Sequence, residues 1–351
     1  MATAINKGFK TEEILRIYFL KNGYYVARGI PFNYRGFAIT DIDLWLYNRT
    51  SSVSREISIV DIKNKKTPQA IERIFWVKGL QAAVNATNAL IATTDKRPDV
   101  KDFGKDLDVF VLDGNFLSKI QQYEQSLESR LTDEEIISMI DSYSLSKLDG
   151  DWKTKFLEAK SLLALGLNFD NTNKLLNINK FFLEQILTKS SQKEISLRIF
   201  YAICSYIAIN LDYIQRDLAF LEDANSRKNA FKNGFRYGNK GEKEIKRIID
   251  MSLSFVEQYS DNGQSIASQA RYNISKQFES MPTDILAEYF SDNKVLKSVF
   301  TVALEFELLS VNRIFKLHID STPEVKSFIA ILLDFYGIDR VSFANSIEYK
   351  S

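Results

Sequence analysis

Apolar residues in the first third of the chain follow two different spacings. Between Thr11 and the Asn22-Gly23 pair they recur every three or four residues, which predicts an amphipathic helix ending at the glycine. Runs rich in aromatic and β-branched residues then predict strands. The expected strands are 24–30, 37–47, 56–63, 89–93 and 108–112, with further helices at 68–84 and 99–106. This order of elements predicts an α/β domain that ends near Asp113.

From Asn115 onward the strand-like alternation disappears and helical spacing takes over. Thr132-Asp-Glu-Glu135 has the pattern of a capping box at one helix start. Helices are expected at 115–126, 132–143, 152–165, 172–188, 192–221, 241–258, 265–279, 283–289, 293–309 and 322–335. We therefore predict an α/β domain at 1–114 and an all-α domain at 115–351, which would select a substrate, oligomerise or bind a partner.

Composition narrows the chemistry that the chain can perform. The 351 residues are 45% hydrophobic and carry a formal net charge of +1, which is typical of soluble globular proteins and excludes a uniformly basic nucleic-acid coat. His318 is the only histidine, so Cys-His zinc sites and Ser-His-Asp triads are excluded. Any catalysis must therefore use carboxylates, lysine and a metal ion.

Three sequence features point to a cytoplasmic protein. Cys204 is the only cysteine, so no disulfide forms within the chain and a reducing compartment is favoured. The first ten residues lack the apolar segment of a signal peptide. The most apolar window, 195–211, contains Arg198 and Asn210 and is shorter than a membrane span, which predicts a buried helix and no membrane partner.

Three charged residues lie at suggestive positions on two of the predicted strands. Asp43 is inside Ile39-Thr-Asp-Ile-Asp-Leu44, and Asp61 and Lys63 end the next strand two residues apart, on one face. Mg²⁺ prefers oxygen ligands and usually binds one or two carboxylates, waters and phosphate oxygens. Asp43, Asp61 and the backbone carbonyl of Ile62 supply such oxygens, and Lys63 can neutralise charge that develops on a phosphate. The pattern predicts a metal-dependent phosphodiesterase.

With these residues the sequence resembles the PD-(D/E)xK nuclease superfamily, especially Mrr-type restriction endonucleases and Holliday-junction-resolvase-like proteins. The resemblance covers 9–112 and implies a restriction-endonuclease-like mixed sheet flanked by helices. It implies that Asp43 and Asp61 are metal ligands and that Lys63 is the catalytic lysine. Glu12 falls on the helix glutamate that precedes a Gly-aromatic pair, here Gly23-Tyr24. Asp61 stands where the family often has glutamate, which shortens the ligand.

Each candidate residue has a plainer interpretation. Asp43 could be a strand-end charge, and Asp41, on the same strand face, could be the ligand instead. Glu12 could be a solvated residue in the first turn of its helix, and Glu13 beside it leaves the helix carboxylate open. Two further lysines that follow the site could contact phosphates or simply face water; these are Lys65 and Lys66.

A second signal is a basic segment at 227–247, which has eight basic and two acidic residues and a net charge of +6. Aromatic residues are interleaved with its cations, and three glycines suggest flexibility. Cations release counterions from phosphates, and aromatic rings stack on unpaired bases. The candidate nucleic-acid contacts are Arg227, Lys228, Lys232, Arg236 and Lys240. The alternative is a solvated connection whose Phe231 and Phe235 pack into the helical domain.

Together these features predict a Mg²⁺-dependent endonuclease that cleaves DNA, with Mn²⁺ as a substitute metal. The resemblance implies a role in prokaryotic restriction or phage defence. A homodimer is one option, because a double-strand cut needs two active sites. The chain has no GxxxxGK[ST] motif, so an ATP-driven step or target recognition would need a partner protein. The alternative is a nucleic-acid-binding or interaction subunit that does not cleave alone.

Overall fold

The computed structural model describes residues 7–64, 69–221 and 223–347. Its five strands form one sheet in the order β1-β2-β3-β4-β5. The first three strands are antiparallel, and β4 and β5 run parallel to β3. The strands are β1 Tyr25–Tyr34, β2 Phe37–Arg49, β3 Arg55–Lys63, β4 Asn88–Thr93 and β5 Val109–Leu112. The mixed sheet with flanking helices confirms the predicted α/β class for this part of the chain.

Four helices belong to the sheet region: α1 Lys7–Lys21, α2 Ala70–Ala83, α3 Pro98–Asp106 and α4 Gly114–Ile120. The rest of the described chain is helical, as predicted. Its α-helices are α5 Asp133–Ser142, α6 Trp152–Ala164, α7 Phe169–Thr188, α8 Lys193–Leu218, α9 Ala224–Tyr237, α10 Gly241–Tyr259, α11 Gly263–Ser280, α12 Thr283–Ser291, α13 Asn293–Val311, α14 Pro323–Tyr336 and α15 Arg340–Ile347.

Some predicted elements were wrong in detail. Thr11 does not begin its helix, because α1 already includes Lys7 and the Thr11 hydroxyl accepts a hydrogen bond from the Asn64 side chain at 2.7 Å. The helix predicted at 115–126 is α4 followed by a 3-10 helix, Gln121–Ser129. Helix α15 was not predicted. Pro68, the expected start of the second helix, lies outside the described residues.

The sheet is packed on both faces. Leu44, Leu46 and Val60 pack with α1 in one apolar cluster. Trp45 and Ile59, on alternate positions of the same strands, belong to a second cluster that includes residues of α2 and of the helical region. This alternation follows from the two-residue period of a strand and explains why α1 and α2 lie on opposite faces.

The second apolar cluster crosses the predicted boundary near residue 114. It joins Tyr25, Ile59 and Ile74 of the sheet region to residues such as Phe156 and Phe200 of the helical region. The main contact is made by α6, which packs on β1, and the Tyr25 hydroxyl hydrogen-bonds the Ser205 hydroxyl of α8 at 2.6 Å. The two predicted domains therefore share one hydrophobic core.

One end of the β2–β3 pair is fastened to α8 by a buried charge cluster. Asp212 of α8 is fully buried and accepts hydrogen bonds from the Tyr47 hydroxyl and from the guanidinium groups of Arg49 and Arg55. Burial beside Asp212 raises the pKa of the Tyr47 hydroxyl far above its usual range, so it stays a donor. Each carboxylate oxygen of Asp212 has a partner, as a buried charge requires.

The predicted buried helix at 195–211 lies within α8. In the described part of the chain, Ser190–Leu218 is the segment long and apolar enough to cross a membrane, and 94% of its most apolar window is buried inside the protein. Its Arg198 guanidinium donates to the backbone carbonyls of Ser310 and Asn312 at 2.9 and 2.8 Å. The hydrophobicity of α8 is therefore explained by its place in the core.

Candidate functional site

The candidate site lies where β2 and β3 separate. The two strands pair from Arg49 and Arg55 to Leu44 and Val60. Asp43 and Asp61 are the next residues on each strand, and there the regular pairing ends. The Asp43 carboxylate takes the place of a backbone acceptor on β2, because its Oδ2 accepts a hydrogen bond from the Ile62 amide at 2.6 Å.

A glycine on β1 explains why the sheet is irregular at this level. Register places Gly29 opposite Asp43, between the Arg28–Leu44 and Ile30–Ile42 pairs. Gly29 has a φ of +55°, a left-handed conformation that favours glycine. The β1–β2 ladder has no regular pair at this position.

The carbonyl of Ile62 faces the opening where β2 and β3 separate. In an antiparallel ladder, the N–H and C=O of one residue face the same neighbouring strand. Because the Ile62 amide is bonded to Asp43, its carbonyl also faces the β2 side, beyond the last β2–β3 pair. The predicted oxygen ligand Ile62 is therefore directed towards Asp43.

Asp61 and Lys63 share a strand face, as predicted, and Arg73 of α2 joins them. The Lys63 ammonium is 4.0 Å from Asp61 Oδ1, and its side chain is one-third exposed. Arg73 donates through Nε to Asp61 Oδ2 at 2.7 Å and through Nη2 to Asp61 Oδ1. Asp61 is buried, so this two-pronged ion pair compensates its charge in the present arrangement.

Within the ranges that the structure describes, Asp43 has no comparable cation. Burial raises the pKa of the Asp43 carboxyl from 3.8 to about 7, against the lowering effect of the Ile62 hydrogen bond. The negative charges of Asp61 and Glu12 raise this pKa further, and Lys63 lowers it. The charges of Asp61, Glu12 and Lys63 therefore all act on the Asp43 carboxyl. Among the described residues, none donates a hydrogen bond to Asp43 Oδ1.

The structure separates the two glutamates of α1. Glu12 Oε2 accepts a hydrogen bond from Arg28 Nε at 2.8 Å, and its charge reaches Asp43. Glu13 is almost fully buried between Arg16 and Arg28, and burial raises the pKa of its carboxyl. Of the pair, Glu12 is the residue placed at the site. Asp41 is exposed and lies outward along β2, away from Asp61.

A cleft opens beside the site, at the carboxyl ends of β3 and β4. It has a volume of about 330 Å³, and Asn64, the residue after Lys63, is part of its wall. Such edges of parallel strands are common ligand-binding positions. The other lining residues are Thr11, Thr94, Lys96, Gly114, Leu117, Ser118 and Gln121. Lys65 and Lys66, predicted phosphate contacts, lie outside the described residues.

The basic segment is not a flexible connection, because α9, a short 3-10 turn and α10 cover it. Phe231 and Phe235 are buried and pack on Phe169 of α7. The packing alternative for these two rings is therefore the correct one. They lie four residues apart on the buried face of α9, which Arg227 shares, whereas Lys228, Lys232 and Arg236 are only partly buried.

Most of the predicted cationic contacts on α9 already have partners. Arg227 is buried and donates to the Leu221 carbonyl at 2.6 Å. The other α9 cations form ion pairs with α12: Lys228 with Glu288, and Lys232 and Arg236 with Asp284. Lys240 is exposed and lies beside an open surface depression formed with Lys243 and Lys246. Of the predicted contacts, Lys240 is therefore exposed on the surface, whereas Arg227 is part of the packed interior.

The oxygen donors at the site fit a hydrated Mg²⁺ ion. Asp43 Oδ1, the Ile62 carbonyl and Asp61 provide hard ligands, and waters would complete the shell. Among the described residues, no group of three or more His, Cys, Asp or Glu side chains is arranged to hold a metal. A metal ion at this site would therefore be held by two carboxylates and one carbonyl. Arg73 would have to give up its ion pair with Asp61.

Sequence reasoning missed Arg73 and Arg28, the two guanidiniums that hold Asp61 and Glu12. Arg73 is the first basic residue of α2, and a cation early in a crossover helix was a signal that could have been followed. Arg28 also binds Glu134 of α5 at 2.7 Å, a contact that sequence spacing does not reveal. No protein-family model, curated protein or solved structure matches this chain.

Proposed function

We propose that this chain is a metal-dependent endonuclease that hydrolyses phosphodiester bonds of DNA, with Glu12, Asp43, Asp61 and Lys63 at its active site. One observation carries the proposal: Asp43 lies next to Asp61 where β2 and β3 separate, with its pKa raised to about 7. Burial and the nearby charge of Asp61 both raise this pKa, and a strongly shifted carboxyl group beside a second carboxylate is a recurrent sign of a functional site. A divalent cation would relieve their repulsion.

The chain's residues then have distinct tasks. Asp43, Asp61 and the Ile62 carbonyl hold the metal ion, which supplies a Lewis acid and an acidified water when bound. Lys63, partly exposed beside Asp61, donates to the phosphoryl oxygens and stabilises the charge that develops on them. Glu12 of α1, held by Arg28 of β1, orients water at the open side of Asp43.

A second candidate is a nucleic-acid-binding or interaction subunit that does not cleave alone. It is favoured by the Arg73 ion pair, which engages both oxygens of Asp61. In this case the carboxylates would be silent until a partner protein rearranged α2.

The resemblance described above supports a proposed role as a cytoplasmic prokaryotic restriction or phage-defence effector. The buried Cys204 is compatible with a reducing compartment, since burial raises the pKa of its thiol and keeps it unreactive. The target sequence or structure would be set by the helical region or by a partner.

The test is cleavage of plasmid and single-stranded DNA in Mg²⁺ or Mn²⁺. We expect Asp61→Ala and Lys63→Ala to lower the cleavage rate by about 10²- to 10⁴-fold, because each removes a group that acts on the transition state. Lys105→Ala is the matched control, since this lysine is exposed and pairs only with Asp102.

Equal cutting by wild type, Asp61→Ala and Lys63→Ala would refute the site. Salt-dependent DNA binding without cleavage by any of the proteins, in either metal, would support the second candidate instead.

A further inference from the structure

Arg73 occupies the position where a cation would meet Asp61. It lies in the first turn of α2, where its amide donates to the Gln69 carbonyl at 3.0 Å. Its guanidinium binds both oxygens of Asp61, and a guanidinium cannot lose its proton in a protein. In this arrangement Arg73 supplies the positive charge that the proposed metal ion would otherwise supply.

A guanidinium and a divalent cation repel each other strongly at the few ångströms that one carboxylate imposes. Metal binding to Asp61 therefore requires either that Arg73 moves or that an anion comes between the two cations. The phosphate of a nucleic acid is such an anion, and arginine binds phosphate in the same forked geometry as carboxylate.

The surroundings of Arg73 allow it to move. Its side chain is 25% exposed, and its guanidinium lies 5.3 Å from the ring centre of Trp76, which is 43% exposed. The guanidinium therefore already contacts an exposed aromatic face one helical turn away, a contact that it can keep when it leaves Asp61. Arg55, by contrast, is fully buried and also donates to backbone carbonyls of Ser51 and Asp212.

We propose that Arg73 is a built-in counter-cation that holds Asp61 in the absence of metal, competes with the divalent ion, and transfers to the DNA phosphate when both ligands bind. The inference rests on the proposed function and adds a coupling to it: metal and nucleic acid bind cooperatively through Arg73. The metal-loaded site that can cleave is thereby formed only in the complex with DNA.

The first experiment measures Mn²⁺ binding to the full chain without DNA, by calorimetry or by the loss of the free Mn²⁺ electron-spin signal. Arg73→Gln removes the competing charge and keeps a side chain of similar polarity, so we expect Mn²⁺ to bind about tenfold tighter than to wild type. Arg73→Lys keeps the charge but loses the fork, and should fall between the two.

Arg97→Gln is the control. Arg97 makes the same type of forked pair with Asp95 but is exposed and belongs to another loop. Its Mn²⁺ affinity should equal that of wild type. Melting curves of the four proteins verify that each is folded.

The second experiment tests the transfer to phosphate. In a Lys63→Ala background, which keeps the DNA intact, a short duplex should tighten Mn²⁺ binding by about tenfold, a typical coupling between two sites. Addition of Arg73→Gln should abolish most of this gain, because the residue that passes from carboxylate to phosphate is gone.

Equal Mn²⁺ affinity of wild type and Arg73→Gln would overturn the inference and leave the proposed function intact. Weaker binding by Arg73→Gln would also overturn it, because Arg73 would then position Asp61 for the metal. If neither protein binds Mn²⁺, with or without the duplex, both the inference and the proposed metal site fail.

Discussion

The two ends of the β2–β3 pair hold carboxylates in opposite electrostatic situations. At one end, Asp212 is surrounded by donors from Tyr47, Arg49 and Arg55 and has no free oxygen. At the other, Asp43 receives one backbone hydrogen bond and lies near two further negative charges. Both carboxylates lie at ends of the same pair of strands, so the difference between them lies in their hydrogen-bond and charge partners.

This difference distinguishes a structural carboxylate from a candidate functional one. A buried charge with all its partners fixes the position of α8 on the sheet, and its removal would leave uncompensated cations. A buried carboxylate close to other carboxylates lowers stability, and such unfavourable arrangements tend to lie at functional sites. Substitutions at the two carboxylates can test the comparison.

The largest effect is expected at Asp212. Asp212→Ala leaves Arg55 buried without its carboxylate and should lower the free energy of unfolding by about 3–5 kcal/mol. Urea denaturation measures this change. Asp217→Ala is the control, because Asp217 is exposed and pairs only with Arg216, so its effect should stay within about 0.5 kcal/mol. If Asp212→Ala lowers the free energy of unfolding by less than about 1 kcal/mol, Asp212 is not the stabilising carboxylate that the comparison requires.

A smaller effect of opposite sign is expected at Asp43. Its pKa in the folded protein is about 7, above the ordinary 3.8, so the folded state keeps a proton that the unfolded chain releases. The resulting stabilisation is complete below about pH 4 and is lost as the pH rises through 7, by about 2–4 kcal/mol.

Asp43→Asn should remove this part of the pH dependence and make the protein more stable than wild type at pH 8. Denaturation series between pH 4 and 8 measure the slope. Asp41→Asn, two residues away and exposed, should keep the wild-type slope. Parallel curves for wild type and Asp43→Asn would show that Asp43 is compensated after all.

The smallest effects separate the two kinds of cation in the basic segment. Arg227→Ala leaves buried carbonyls without a donor and should lower the free energy of unfolding by about 1–3 kcal/mol. Lys240→Ala should change it by less than about 0.5 kcal/mol. If this surface contacts DNA, Lys240→Ala lowers the salt dependence of binding by about one phosphate contact. An unchanged salt slope would remove Lys240 from the interface.

The order of elements in the sheet region was predictable because each element has a clear local spacing. Strand-like runs ended at Gly36 and at the polar loop before Arg55, and the Pro-containing segment preceded a helix. The proximity of Asp43, Asp61 and Lys63 followed from the same pattern, since strand periodicity fixes which side chains share a face.

Other features depended on contacts that local spacing does not encode. The position of Arg73 over Asp61 is set by how α2 packs on the sheet, and the hold of Arg28 on Glu12 involves α5, more than a hundred residues later. Phe231 and Phe235, four residues apart, did carry a helical signal, which the glycines and the charges of α9 obscured.

The shared core has a consequence for synthesis. When residue 114 leaves the ribosome, the sheet region is complete, but the face that receives α6 and α8 is still uncovered. Ser205 and Asp212 are made about a hundred residues later, which takes roughly 5–20 s at common elongation rates. During that interval Tyr25, Trp45 and Tyr47 have no partners from the helical region, so these apolar side chains stay uncovered until that region is made.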